Sequence, residues 1–170
     1  MRIYLVGFMS SGKSTIGYQL AKNLRIPFLD TDRQVAALEN ATVAEIFETK
    51  GESYFRKKEQ EVLHATFDVP QLVVATGGGT PCFYDNMSQM RKFGFTFYLE
   101  LSLQKIIYRL TNTPKERPLV SGKSPEELEL VVNELFDMRE KYYKSAHYVV
   151  DAANKNAVHY ISRIMSGYMY

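Results

Sequence analysis

A glycine-rich turn close to the start of the chain constrains the fold more than any other feature. It reads Gly7-Phe8-Met9-Ser10-Ser11-Gly12-Lys13-Ser14 and follows an apolar run at residues 3–6. The next apolar positions, four residues apart as on one buried face of a helix, are Ile16, Leu20 and Leu24. The pattern therefore predicts a strand, a tight turn and a helix in immediate succession.

This turn has the G-x-x-x-x-G-K-S spacing of a phosphate loop. Its glycines permit backbone angles that side chains forbid, so successive N–H groups can converge on an anion at the positive end of the helix. Lys13 would reach the β and γ phosphates, and the Ser14 hydroxyl would meet Mg²⁺. We predict that a nucleoside triphosphate is held by Ser10, Ser11, Gly12, Lys13, Ser14 and Thr15. The alternative is a plain glycine turn with a solvated lysine.

Composition limits the other classes of function. The 170 residues suit one domain, and a net charge of +2 is too small to argue for a nucleic-acid partner. Cys82 is the only cysteine, which excludes a disulfide framework and a cysteine metal site. With neither a signal peptide nor a long apolar run, we expect a cytoplasmic protein without a membrane partner. We also expect a monomer that acts on a small molecule.

Strands and helices alternate along the rest of the chain. Further strands are predicted at 26–29, 72–75, 95–99 and 148–150, and helices from 33, 42–50, 52–67, 84–92, 102–109, 128–139 and 155–165. The stretch from Leu110 to Pro125, rich in proline and basic residues, is predicted to be a long loop that acts as a lid. Alternation of this kind implies an α/β fold, a mostly parallel sheet with helices on both faces. Ligands bind such sheets beyond the carboxyl ends of the strands.

Several further motifs lie at those strand ends, on the predicted helices and in the lid. Five of them, in chain order, are Asp30-Thr31-Asp32, Phe55-Arg56-x-x-Glu59, Gly77-Gly78-Gly79, Arg117-Pro118-Leu119, and Arg139 followed by Tyr142. Together with the phosphate loop, their order and separation resemble the shikimate kinase family over essentially the whole chain. That family belongs to the P-loop kinases related to nucleoside monophosphate kinases.

The resemblance implies a fold and a reaction. The fold would have three layers, with a five-stranded parallel sheet in the order 2-3-1-4-5. The reaction would transfer a phosphoryl group from ATP, with Mg²⁺, to the 3-hydroxyl of shikimate in aromatic amino acid biosynthesis. Such a transfer asks the protein mainly for alignment and for neutralisation of phosphate charge.

The resemblance also implies a role for each motif residue. Arg56 and Arg139 would grip the substrate carboxylate, because guanidinium groups bind carboxylates in a bidentate way. Asp32 would orient, or deprotonate, the attacking hydroxyl. The other implied sets are Gly77, Gly78 and Gly79 close to the substrate ring; Lys13 and Arg117 as catalytic positive charges; Ser14 and Asp30 at the metal; and Arg117 and Asn154 at the nucleotide.

Each of these residues also has a structural alternative. Asp30 or Asp32 would cap the next helix, Arg56 would pair with Glu59 or Gln60 on an exposed face, and Arg139 would complement a helix dipole. The glycine triplet would be only a flexible strand exit, and Arg117 only a solvated lid residue. Arg109 is expected either against adenine or at the surface.

Three other functions remain open from the residues themselves. A sibling kinase for another hydroxylated acid, such as gluconate, would share the phosphate loop and the lid. A nucleotide-dependent switch is a different class, although the Asn-Lys-x-Asp base reader of GTPases is missing from the sequence. A non-catalytic relative would have lost a phosphate or acceptor residue, whereas all of these residues are present.

Overall fold

One parallel sheet organises the molecule. The computed structural model describes residues 1–112 and 118–168. Its strands are β1 (Arg2–Val6), β2 (Phe28–Asp30), β3 (Leu72–Ala75), β4 (Phe95–Glu100) and β5 (Tyr148–Asp151). They lie in the order β2-β3-β1-β4-β5, and every neighbouring pair is parallel. The predicted order 2-3-1-4-5 is confirmed.

Helices connect successive strands and cover both faces of the sheet. They are α1 (Lys13–Leu24), α2 (Thr31–Glu39), α3 (Val43–Lys50), α4 (Glu52–Ala65), α5 (Asn86–Phe93), α6 (Leu103–Asn112), α7 (Pro125–Lys144) and α8 (Ala157–Ser166). A capping box begins α3, with Thr42 and Glu45 bonding to each other's backbone N–H groups. In the described part of the chain, no helix is long and apolar enough to cross a membrane.

Strand β1 explains why the sheet needs helices on both sides. Its side chains alternate in direction, so Tyr4 and Val6 enter one apolar layer while Ile3 and Leu5 enter the other. All four side chains are fully buried. Helices α4 to α7 supply apolar residues to the first layer, and helices α1 and α8 supply them to the second. The predicted three-layer architecture is therefore confirmed.

A third, smaller apolar cluster lies beside the sheet rather than on it. It joins helices α2, α3 and α4 through Val35, Ile46, Phe55 and Val62. The cluster holds α4 against α2. Side chains from these two helices reach the ends of β2 and β3, and they form part of the site described below.

Several predicted boundaries and one predicted face are wrong. Helix α6 continues through Leu110 to Asn112, because Leu110 lies one turn after the buried Ile106 and packs against the same apolar layer. Helix α2 begins at Thr31 rather than Arg33, because Asp30 caps it. The predicted helix 128–139 implies a buried face at its apolar positions, but Met138 is 59% exposed. Helix α7 extends three residues before and five residues after the predicted range 128–139. Most other predicted ends shift by one or two residues, as is common at frayed helix termini.

Candidate active site

The phosphate loop has the backbone geometry that its glycines predict. Gly7 and Gly12 have φ angles of 146° and 97°, and Ser10 also lies in the left-handed region at 61°. A Cβ on Gly7 would come within 2.8 Å of the Leu99 carbonyl oxygen, so the loop fits closely against the end of β4. Gly12 immediately precedes α1, so the first turn of that helix faces the loop.

Lys13 lies across the phosphate loop. Its Nζ donates hydrogen bonds of 2.7 Å to the carbonyl oxygens of Gly7 and Phe8. The side chain is buried, with 8% of its surface exposed. The ammonium group is therefore held at the centre of the loop, where a bound phosphate group would need a positive charge.

Ser14 and Asp30, the predicted metal residues, are brought together. The Ser14 hydroxyl donates to Asp30 Oδ2 at 2.5 Å, and Asp30 Oδ1 accepts from the backbone N–H of Arg33 at 3.2 Å. Asp30 therefore caps α2, as the structural alternative proposed, and also faces the phosphate loop. A hydroxyl and a carboxylate side by side are the hard oxygen donors that Mg²⁺ prefers. The described residues contain no cluster of three or more metal-ligating side chains.

The glycine triplet after β3 lies where two carboxylates meet. A Cβ on Gly77 would overlap Glu59 Oε1 and lie 2.5 Å from Asp32 Oδ1. Both side chains thus press against the same face of Gly77, which leaves no room for a larger residue. A Cβ on Gly78 would lie 3.1 Å from the backbone nitrogen of Met9 in the phosphate loop. The triplet therefore adjoins Asp32 on one side and the phosphate loop on the other.

Arg56 is buried within this site rather than exposed on its helix. Only 4% of its surface is accessible, and Nη1 and Nη2 lie 2.9 Å from carboxylate oxygens of Glu59 and Glu52. Burial alone would disfavour the charge, but these two carboxylates raise the pKa of Arg56 above its ordinary value. The alternative of an exposed surface pair is therefore wrong, although the predicted pairing with Glu59 is present.

Glu59 is the most deeply buried carboxylate near the site, with none of its surface exposed. Burial raises its pKa to about 6; the Asp32 carboxylate adds to this rise, while Arg56 and the Thr80 hydroxyl oppose it. Glu59 is therefore mostly ionised at neutral pH and takes up a proton in mildly acidic solution.

Arg139 comes from α7, on the opposite side of the site. It is 6% exposed, and its guanidinium group reaches the hydroxyl of Tyr143, whose pKa is raised by burial. Tyr143 in turn donates to the carbonyl oxygen of Gly78 at 2.5 Å. Arg139 is thus buried beside a tyrosine that bonds to the glycine triplet, and complementing a helix dipole does not account for its position.

A cavity of about 380 Å³ lies between Arg56, Arg139 and the glycine triplet. Polar groups from Asp32, Arg56 and Arg139 face it together with the backbone of Gly78 and Gly79. Its remaining walls are mainly apolar and come from the phosphate loop, α2, α3, α4 and the segment before α7: Met9, Ala36, Val43, Ala44, Phe47, Phe55, Pro118 and Leu119. A small polar ring with one carboxylate fits such a lining.

The remaining predicted nucleotide residues have less defined surroundings. Asn154 is exposed after β5, where its Oδ1 accepts from the backbone N–H of Asn156 at 2.8 Å. Arg109 is tied to the phosphate loop, because its Nη1 donates to the Ser10 carbonyl oxygen at 2.8 Å. Arg117, predicted to be catalytic, lies outside the described residues.

Three residues that sequence reasoning missed support the site. Tyr143 bridges Arg139 and Gly78, while Thr80 and Phe83 follow the glycine triplet. The Thr80 hydroxyl donates to Glu59, and the Phe83 ring centre lies 4.5 Å from the guanidinium carbon of Arg56. In the sequence, the only indication of their role was position: Tyr143 follows Tyr142, and Thr80 and Phe83 closely follow the glycine triplet.

Gly79→Ala tests how tightly the triplet fits the arginine. The backbone at Gly79, with φ −89° and ψ −21°, suits any residue, but a Cβ there would lie 2.5–2.6 Å from the Arg56 guanidinium. We expect the Michaelis constant for the acid substrate to rise about tenfold as Arg56 is displaced. Steady-state kinetics with each substrate varied would measure it.

Gly167→Ala is the matched control, since Gly167 has φ −67° and, among the described residues, its Cβ would meet only the Ile164 carbonyl oxygen, at 3.4 Å. A Gly79→Ala enzyme with the wild-type constant for the acid would show that Arg56 does not need its present position.

The parallel sheet, the phosphate loop and a separate cavity beside it, lined by Asp32, Arg56 and Arg139, together define a P-loop kinase. The family model described as shikimate kinase matches residues 9–167. The chain belongs to the shikimate kinase family.

Individual relatives agree with this assignment. The chain is 37% identical to a shikimate kinase from Bacteroides fragilis over 149 residues, covering 88% of this chain and 83% of the relative. Its structure is similar to that of shikimate kinase from Bacteroides thetaiotaomicron, with a TM-score of 0.89, 32% identity and coverage of 100% and 99%. It is also similar to shikimate kinase from Acinetobacter baumannii in complex with shikimate, with a TM-score of 0.86, 33% identity and coverage of 99% and 95%.

Proposed function

We propose that this protein transfers the γ-phosphoryl group of ATP to the 3-hydroxyl of shikimate, giving ADP and shikimate 3-phosphate. The observation that carries this proposal is the cavity in which two buried arginines, Arg56 and Arg139, face Asp32 beside the phosphate loop. The two arginines are suited to bind a carboxylate, the aspartate can accept hydrogen bonds from hydroxyl groups, and the phosphate loop is suited to bind the nucleotide.

The acceptor would be held from two sides. Arg56, fixed by Glu52 and Glu59, and Arg139, fixed by Tyr143, would bind its carboxylate. The backbone of the glycine triplet leaves space for the ring, and Asp32 would accept a hydrogen bond from the attacking hydroxyl and orient it. Because Gly78 adjoins Met9, that hydroxyl would face the phosphate loop.

Positive charge on the phosphate side would come from the loop and the lid. The loop N–H groups and Lys13 would stabilise the negative charge on the phosphoryl group in transit. We propose that Arg117 adds a further charge when the lid closes, and that closure excludes water and suppresses hydrolysis of ATP. Asn154 is proposed to contact the nucleotide from the loop after β5.

The donor pair of Ser14 and Asp30 suits Mg²⁺, with Ser14 as a direct ligand and Asp30 acting through water. When bound, the ion would neutralise charge on the β and γ phosphates of the nucleotide. The hydrogen bond between the two side chains keeps both oxygens facing the phosphate loop. We further propose that the protein works as a monomer in the cytoplasm, with the small molecule as its partner rather than nucleic acid or membrane.

An acceptor screen tests the proposal. ADP release would be measured with ATP and Mg²⁺ in the presence of shikimate, gluconate or AMP, with Lys13→Ala as the blank. Release that depends on shikimate alone is the expected result. Strong preference for gluconate would mean that Asp32, Arg56 and Arg139 bind a different acid. No release with any acceptor would favour a binding module or a non-catalytic relative.

Arg139→Lys tests the carboxylate clamp. Lysine keeps the charge but loses the bidentate geometry and the contact with Tyr143. We expect the Michaelis constant for shikimate to rise about ten- to a hundredfold, with little change in the constant for ATP. Arg163→Lys, at an exposed position of α8, is the matched control and should have no effect. A change confined to the ATP constant would show that Arg139 does not bind the acid.

A further inference from the structure

The one-turn helix that follows the glycine triplet, Thr80–Cys82, makes contacts that the proposed reaction does not yet explain. Thr80 is fully buried, and its hydroxyl donates to Glu59 Oε1. The other carboxylate oxygen of Glu59, Oε2, accepts from Arg56 Nη1 at 2.9 Å. One side chain of this turn therefore contacts the residue that holds Arg56.

The backbone of Thr80 is also fixed on both sides. Its N–H donates to the Gly77 carbonyl oxygen at 3.2 Å, and its carbonyl oxygen accepts from the side-chain amide of Asn86 at 2.9 Å. Asn86 is itself fully buried at the start of α5. The hydroxyl of Thr80 is thus held at one point relative to the glycine triplet, and Glu59 is positioned by a rigid donor rather than by solvent.

The same segment supports the arginine directly. The ring of Phe83 lies over the guanidinium group of Arg56, with the ring centre 4.5 Å from Cζ. Stacking of this kind fixes the plane of a guanidinium group, and that plane decides which carboxylate it can bind in a bidentate way.

We infer that Thr80 is a positioning residue for the acid-binding site: its hydroxyl orients Glu59 so that Glu59 holds Arg56 in the plane required by the substrate carboxylate. The inference rests on the proposed function, since it assigns Arg56 to the substrate acid. Thr80 does not touch the substrate in this arrangement. It acts through Glu59 and Arg56, so its removal should change acid binding and leave nucleotide binding alone.

The hydrogen bond from Thr80 also helps to keep Glu59 ionised. Asp32 on α2, Arg56 on the same helix α4, and Cys82 in the turn face this carboxylate. Thr80 and Arg56 lower the pKa of Glu59, whereas burial and Asp32 raise it, to about 6. Burial raises the pKa of the Cys82 thiol to about 11, so that group stays neutral over the working range. Without the Thr80 hydroxyl, Glu59 should therefore protonate at a higher pH, and protonated Glu59 no longer pairs with Arg56.

Thr80→Val removes the hydroxyl at nearly constant volume, and Thr80→Ser retains it. For Thr80→Val we expect the Michaelis constant for shikimate to rise about tenfold at neutral pH, and the acidic limb of kcat/KM for shikimate to move upward by about one pH unit. The rise should be smaller but still present at alkaline pH, where Glu59 is ionised in both enzymes and only its orientation differs. The Michaelis constant for ATP should stay unchanged, and Thr80→Ser should behave like the wild type.

Thr66→Val is the matched control for loss of a buried threonine hydroxyl. Thr66 is 2% exposed, donates to the Leu63 carbonyl oxygen at 2.6 Å and lies 3.0 Å from the Tyr4 hydroxyl, away from the cavity. We expect it to lower the melting temperature without moving the pH profile. A folded Thr80→Val enzyme with the wild-type profile and the wild-type constant for shikimate would overturn the inference. If the wild-type enzyme itself releases no ADP with shikimate, the proposed function fails instead.

Discussion

Lys13→Ala is expected to lower kcat by about a thousandfold or more, because it removes a positive charge held where the phosphoryl group would develop negative charge. The structure sharpens this expectation. Lys13 Nζ is already fixed by the carbonyl oxygens of Gly7 and Phe8 at 2.7 Å, so the charge needs little reorganisation when the nucleotide binds. The measurement is the rate of ADP release at saturating ATP and shikimate.

The control for Lys13→Ala must separate lost charge from a collapsed loop. Lys22→Ala removes an exposed lysine from the same helix, α1, and should leave the rate unchanged. Circular dichroism and the melting temperature should show that Lys13→Ala remains folded, because Lys13 contributes nothing to the apolar layers of the sheet. A folded Lys13→Ala enzyme with a rate close to the wild type would remove Lys13 from the mechanism.

The fold could be predicted in outline from local patterns alone. The phosphate loop required a strand before it and a helix after it, and the alternation of apolar runs required a parallel sheet. Only the resemblance to the shikimate kinase family supplied the order of the strands, because local patterns do not tell which strands pair. Helix ends were missed where distant packing decides them, as at Leu110, whose side chain joins the layer around Ile106.

The candidate site was predictable where the chemistry selects a rare residue type. Paired arginines, an Asp-x-Asp motif and a glycine triplet are conspicuous in a sequence, and the structure brings Asp32, Arg56 and Arg139 around one cavity. Thr80 and Tyr143 were missed for the opposite reason. Threonine and tyrosine occur throughout the chain for many purposes, and their importance here arises from contacts between segments that are distant in sequence.

The two aspartates of the Asp-x-Asp motif illustrate what side-chain geometry adds. The sequence allowed either of them to cap α2. In the structure Asp30 accepts from the Arg33 N–H and faces Ser14, whereas Asp32 lines the cavity and lies against Gly77. Asp30 therefore points toward the phosphate loop and Asp32 toward the cavity. Substitutions at the two positions should have different effects on the reaction.

Asp32→Asn is expected to lower kcat by about a hundred- to a thousandfold, because asparagine keeps an oxygen that can orient the hydroxyl but cannot take its proton. The Michaelis constant for ATP should remain near the wild-type value, since Asp32 lines the acceptor cavity. Comparison with Asp32→Ala separates the two roles: equal rates in both variants would assign the effect to the lost carboxylate, while a further loss in Asp32→Ala would show that orientation contributes as well.

Asp30→Asn is the natural partner of that experiment, because the residue is two positions away and a different defect is expected. Asparagine can still cap α2, so the fold should survive. The weaker oxygen donor beside Ser14 should raise the Mg²⁺ concentration needed for half-maximal rate, while the Michaelis constant for shikimate stays unchanged.

A rate for Asp32→Asn within about twofold of the wild type would remove Asp32 from the chemical step, since the loss of a general base costs far more. If both variants instead changed only the Mg²⁺ requirement, the two carboxylates would serve the metal together, and the acceptor hydroxyl would have to be oriented by the backbone of the glycine triplet.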